Sequence, residues 1–190
     1  MRMINGFAGI VLLLTSALAS AQPPYVIHGL HAALTLAQAR AQAEKLGGVC
    51  REAPARPNAA DRNVQCAFRQ CDEAVRSQNC AEGELPGTGL VFASHPILSI
   101  GFTAAGDAAA VNQIVMVYEG DAESVAGDLI ATFGETEAEG SPTDNASWTH
   151  ARRWSWRQGV HRMGLMDAPQ LIILSRDVLP PATDSAEVAH

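Results

Sequence analysis

Nine residues of this chain, 148–156, hold all three of its tryptophans, with a histidine and two arginines between them. In an extended strand, side chains alternate between faces, so Trp148, His150, Arg152, Trp154 and Trp156 share one side. Aromatic rings and guanidinium groups are common anchors of protein interfaces, and stacked rings also hold sugars. These five residues are therefore the candidate binding face. A second reading is open. The chain has 3 Trp, 2 Tyr and 5 Phe, and with so few aromatics the same face is expected to be needed as core beneath a helix. Arg153, Ser155 and Arg157 would then form a basic solvent face on the other side.

Other chemistry finds less support. His28 and His31 lie three residues apart, but no third ligand is nearby in sequence, so no metal site is expected. His95, before Pro96, is a candidate base only if the fold brings a carboxylate to it. The chain has no Gly-x-Ser-x-Gly elbow, Ser-x-x-Lys, His-Glu-x-x-His or glycine-rich phosphate loop. No catalytic residue, cofactor or metal is assigned. The carboxylates of 119–144 cluster in a helix start and an acidic loop, which reads as solvated surface.

Cys50, Cys66, Cys71 and Cys80 form an even set. Their reading depends on compartment, and residues 1–21 supply one. Arg2 begins the chain, Ile10–Leu14 lie at the centre of an apolar run, and Ala19-Ser20-Ala21 offers the small residues of a cleavage site. The run is too short for an ordinary membrane span. This predicts a signal peptide and a mature start at Gln22, without the cysteine a lipid anchor needs. The expected location is the periplasm or the extracellular space. There, four cysteines read as two disulfides. Four allow three pairings; Cys50–Cys66 with Cys71–Cys80 is preferred. If a strand runs through both Cys66 and Cys71, their odd separation turns them to opposite faces and gives them different partners.

Removing residues 1–21 takes away one basic residue of 13, leaving 12 against 20 acidic and a formal charge of −8. That argues against general nucleic-acid binding, which needs a basic surface. The charges are segregated. Residues 77–151 hold 11 acidic groups and no Lys or Arg, whereas Arg152, Arg153 and Arg157 fall within six residues. Such asymmetry can mark an interaction face or an internal neutralisation.

The elements that must position these groups follow from periodicity and caps. Thr35 with Gln38 makes a capping-box pattern, and Leu36, Ala39, Ala43 and Leu46 recur at helical steps before Gly47, predicting a helix over 36–46. Asp121 and Gly134 bracket a second, over 122–133. Gly127 inside it would allow close packing on a sheet. Strands are predicted at 64–70, 89–93, 96–104, 111–119, 147–157, 160–166 and 170–176. Leu98, Ile100 and Phe102 should share a face, and Leu171–Leu174 should be a central strand covered on both sides. The expected fold is α+β, in the order α-β-β-β-α-β-β-β. An antiparallel sheet carries two helices on one face and two disulfides staple it. Residues 22–178 form the domain and 179–190 a flexible tail.

Each half opens with a capped helix ending in a hydrophobic residue and glycine (Leu46-Gly47, Phe133-Gly134) and continues in strands. This order resembles the helix-then-strands units of small bacterial envelope proteins of the β-lactamase-inhibitor-like and outer-membrane assembly lipoprotein types. The resemblance is one of architecture, which does not imply a function. The function expected from the residues is that of an exported, non-enzymatic binding protein. An inhibitor or immunity-type protein with a protein partner fits best. The alternatives are a small-ligand or glycan binder using the Trp-rich strand, and an unrecognised hydrolase.

Overall fold

The computed structural model describes residues 23–53, 61–71, 80–82, 85–87, 89–140 and 152–177. Residues 1–21, read above as a signal peptide, Trp148, His150 and residues 179–190, read as a tail, lie outside the described residues.

Helix α1 spans Leu36–Lys45, with Leu46 as its C-terminal cap. The Thr35 hydroxyl accepts from the Gln38 N–H at 3.3 Å, and the Gln38 side-chain oxygen accepts from the Thr35 N–H at 3.0 Å. The first helical N–H groups also need acceptors. The 105–109 loop provides them: Leu36 N–H donates to Ala109 O and Ala37 N–H to Asp107 O, both at 3.1 Å. Leu36, Ala39 and Ala43 are buried. Helix α2 spans Ala122–Phe133; Asp121 caps it by accepting from the Ser124 N–H at 2.8 Å. It ends at Gly134, whose φ of 89° is a left-handed conformation that favours glycine. Gly127 does not approach the sheet; a Cβ there would meet nothing within 4 Å.

The strands are β1 (Val49–Glu52), β2 (Arg62–Ala67), β3 (Leu90–Phe92), β4 (His95–Ala104), β5 (Gln113–Tyr118), β6 (Ala138–Gly140), β7 (Arg153–Gln158), β8 (His161–Asp167) and β9 (Gln170–Arg176). Eight lie side by side as β1-β2-β4-β5-β9-β8-β7-β6, and β3 pairs with β4. Every pairing is antiparallel. The α+β class and the helix–strands–helix–strands order are those expected. Five strands precede α2 and four follow it, against three and three in the expected order, the short β1, β3 and β6 making the difference.

Cross-strand register lines up one continuous apolar face. Val64, Phe102, Ile114, Leu174, Met163 and Trp156 form one row across the sheet. Cys66, Ile100, Met116, Ile172, Leu165 and Trp154 form the next. Both rows are buried, in one core with Leu36, Ala39 and Ala43 of α1 and Val125, Ala126 and Leu129 of α2. The helices thus cover a single face: α1 packs on β1, β2 and β4, and α2 on β8. Leu98 is not in these rows. A bulge between Ile97 and Ser99 shifts the register, so Ile97 and Ser99 turn inward and Leu98 is only half-buried.

The other face of the sheet is different. Val115, Val117, Leu171, Ile173 and Met166 share it and are all half-buried. Strand β9 is central as expected, but it is not sealed on both sides: Ile172 and Leu174 are buried while Leu171 and Ile173 are not. No helix of the described residues lies on this side.

The disulfides are Cys50–Cys66 and Cys71–Cys80, the preferred pairing. Cys50 and Cys66 stand directly opposite each other in the β1–β2 ladder, with Cα atoms 3.9 Å apart. Strand β2 stops at Ala67, short of Cys71, so the opposite-faces reasoning does not apply. Instead Cys71 N–H donates to Ala81 O at 2.9 Å, and Ala81 N–H to Arg69 O at 2.8 Å, which sets Cys80 beside Cys71. Two disulfides fit an oxidising compartment. Among the described residues no helix is long and apolar enough to cross a membrane.

Candidate functional site

Strand β7 has the predicted alternation, and the fold decides which side faces in. Trp154 is 5% exposed and Trp156 2%, both in the core shared with α2. The Trp156 indole N–H donates to Gly134 O at 2.8 Å, satisfying its one polar atom. Arg152 is exposed and pairs with Glu123 in the first turn of α2. Trp148 and His150, outside the described residues, are not placed. Of the five expected site residues, the two placed rings are therefore packing residues. The sheet turns both rings inward, to the side that α2 covers.

The opposite side of the same strand carries Arg153, Ser155 and Arg157, as expected for the basic solvent face. It opens on a cavity of about 370 Å³ on the uncovered side of the sheet. Register defines its walls. Arg157 stands opposite Arg162, Ser155 opposite Gly164 and Arg153 opposite Met166; Gly164 in turn faces Ile173 of β9. The floor is thus low at Ser155 and Gly164, apolar at Ile173 and Met166, and flanked by three guanidinium groups. Gly164 matters through its missing side chain: a Cβ would meet only Trp154 O, at 3.9 Å. The room above it is free.

Two of the arginines share one carboxylate. Arg162 makes two hydrogen bonds to Asp177, Nε to Oδ1 at 2.7 Å and Nη2 to Oδ2 at 2.9 Å, and Arg157 Nη2 lies 3.5 Å from Oδ2. The hydrogen bond from Arg162 holds Asp177 below the usual carboxylate range. Arg153 has no ion pair among the described residues, and Glu137 borders the same cavity. The rim keeps positive charge in a chain whose formal charge is −7. Alternation along 160–166 could have found Arg162 and Gly164, since both oppose the buried Met163 and Leu165. Asp177 and Ile173 join the site only through strand order.

His95 does meet a carboxylate. It is 7% exposed, with Nε2 at 3.3 Å from Asp128 Oδ2, 3.3 Å from Ser124 Oγ and 3.5 Å from Ser94 Oγ. A hydroxyl–imidazole–carboxylate relay needs the hydroxyl on one ring nitrogen and the carboxylate on the other. Here both converge on Nε2. The other side of the ring sits against Gly120, where a Cβ would fall 2.6 Å from Nδ1. The arrangement pins α2 to the β3–β4 turn and does not form a relay. His31 Nδ1 accepts from the Ala33 N–H at 3.3 Å, and His28 meets the edge of Phe92. Among the described residues no group of three His, Cys, Asp or Glu is placed to hold a metal.

His161 is 8% exposed, and its Nδ1 has no hydrogen-bond partner among the described residues. Burial first, then the charges of Arg176 and His31, push its pKa down; burial also lowers His31. The folded state therefore favours the neutral form of both rings, and below the ordinary imidazole value of about 6.5 the unfolded chain binds protons more readily. Stability from these rings is complete above about pH 7 and falls as pH drops through the folded values. The urea midpoint should be lower at pH 5.5 than at 7.5, and His161→Gln should flatten that difference. An unchanged slope in the variant would assign the loss to other groups.

Comparison with protein-family models, with curated protein sequences and with solved structures finds no match to this chain. The site must be read from its own geometry.

Proposed function

We propose that this chain is an exported, non-enzymatic binding protein of the inhibitor or immunity type, and that it takes a protein partner on the open face of its sheet. One observation carries the reading. One sheet face is sealed by α1 and α2, whereas the other presents half-buried Val115, Val117, Leu171, Ile173 and Met166 beside an arginine-rimmed cavity. Apolar surface next to arginine is the composition of an interface centre. The paired cysteines and the apolar leader at 1–21 support an exported setting.

The other two readings draw less support. Glycan stacking on the Trp-rich strand needs exposed ring faces, which Trp154 and Trp156 lack. Hydrolysis through His95 needs a hydroxyl and a carboxylate on different nitrogens, which the cluster lacks.

The test uses the mature chain, starting at Gln22, as bait in an envelope and secreted-protein extract of its source, followed by calorimetry with the purified partner. A 1:1 complex is expected, weakened at least about tenfold by Val115→Arg, with an unchanged unfolding temperature as the control for folding. Absence of any stoichiometric protein partner, or a complex indifferent to Val115→Arg, would overturn the proposal.

A further inference from the structure

The spacing of the arginines around the open-face cavity specifies more than a positive patch. Arg153 and Arg157 lie four residues apart on β7, with Ser155 between them on the same side. At about 3.3 Å per strand residue their Cα atoms are about 13 Å apart. Arg162, opposite Arg157, strengthens that end. Arg157 is turned to Asp177, past the end of β9 and away from Arg153, so the two guanidinium groups are not converged on one small anion. Between the poles the floor drops, because Gly164 has no side chain and Ser155 a short one, with Ile173 beside them. The positive ends and the low, partly apolar middle follow the repeat of an extended peptide. There, residues i, i+2 and i+4 point the same way and i to i+4 also spans about 13 Å.

Guanidinium groups recognise carboxylates through paired hydrogen bonds. Arg162 already does so with Asp177, which leaves its geometry fixed and its rim position set. Arg157 holds the same carboxylate at the longer distance of 3.5 Å, and Arg153 has no ion pair among the described residues. These two are the groups with capacity to receive a ligand's charge. A nucleic-acid strand would also offer repeated anions, but the chain's formal charge of −7 opposes it.

We infer that this groove receives an extended acidic segment of a partner protein, with carboxylates at i and i+4 on Arg153 and Arg157 and an apolar side chain at i+2 over Gly164. The inference rests on the protein-binding reading above and specifies its chemistry.

The probe is a synthetic nonapeptide with the central sequence Glu-Ser-Leu-Ser-Glu and neutral flanks, titrated into isotopically labelled mature protein at low salt. The amide signals of Ser155 and Gly164 should shift with a 1:1 isotherm. Affinity should fall at least about tenfold in Arg153→Glu and, separately, in Gly164→Val, which fills the floor without removing charge. It should also fall when both glutamates become glutamine. Arg40→Glu, on the exposed side of α1, should change nothing. Equal binding of the glutamine peptide would overturn the inference. So would equal displacement by inorganic phosphate, indifference to both groove variants, or no shift at all. Concentration-dependent self-association abolished by Arg153→Glu would give the groove to a second copy instead. The two proposals fail separately. A captured partner that binds Arg153→Glu and Gly164→Val at full strength sinks the acidic-segment assignment alone; absence of any partner sinks the reading beneath it.

Discussion

Replacing Trp156 with alanine should lower the unfolding free energy by about 3–5 kcal/mol, the range for truncating a buried aromatic residue. The ring is 2% exposed, lies in one row with Met163 and Leu174, and donates its indole N–H to Gly134 at the end of α2. Truncation removes the apolar contact and leaves a cavity, and it cuts a tie between β7 and the helix terminus. Urea unfolding followed by circular dichroism reads the loss. Trp156→Phe should recover much of it, since the lost hydrogen bond is worth only about 1 kcal/mol and Gly134 is exposed enough for water to replace the donor. Arg153→Ala, on the next residue but two along the same strand and facing solvent, should cost less than about 0.5 kcal/mol. A small effect of Trp156→Ala would mean that the ring is a surface group, and would return the Trp-rich strand to the list of binding faces.

Removing the Cys50–Cys66 bridge by a double alanine substitution should cost about 3 kcal/mol. It closes a loop of 16 residues, and the constraint it puts on the unfolded chain is of that order. Cys66 is fully buried, so its lost packing adds to the effect. Removing Cys71–Cys80, with a separation of 9, should cost somewhat less, about 2.5 kcal/mol. Denaturant midpoints of the two double variants check the order, with peptide mapping under non-reducing conditions to confirm the surviving bridge. A reversed order would mean that the 71–80 bridge holds more native structure than its loop length implies.

The helices were legible because their signals are local. Thr35 with Gln38, and Asp121 with Gly134, mark ends through contacts within a few residues, and both helices start where these caps place them. Strand β9 was legible for a similar reason: a turn at 167–169 precedes an unbroken apolar run, and its limits match at both ends. Strands β1 and β6 were not. Four and three residues long, with no apolar alternation, they are strands only because β2 and β7 lie beside them. Leu98 was misassigned because a bulge is a property of a pair of strands and leaves no mark on one. The candidate site shows the same division. Alternation separated Trp154 and Trp156 from Arg153 and Arg157, but only the placement of α2 decides which side is interior. The groove then depends on three adjacent strands, with Gly164 contributing by absence and Asp177 from beyond the end of β9.

The sheet order also has a kinetic reading. Strands β7, β8 and β9 form consecutive hairpins, and β4 and β5 form another. The backbone ladder joining the two halves among the described residues is β5–β9, five register pairs from Gln113↔Ser175 to Val117↔Leu171. Its strands are separated in sequence by α2, β6, β7 and β8. Hairpins close over short loops, whereas this seam must bear the entropy of a long one before any of its contacts form. The two halves should therefore gain structure early, with the zipping of β5 against β9 as the slow step. Until then, Ile114, Met116, Ile172 and Leu174 present their backbones as two open edges. For a protein that folds in the company of other chains, that interval is when another strand can take the partner's place.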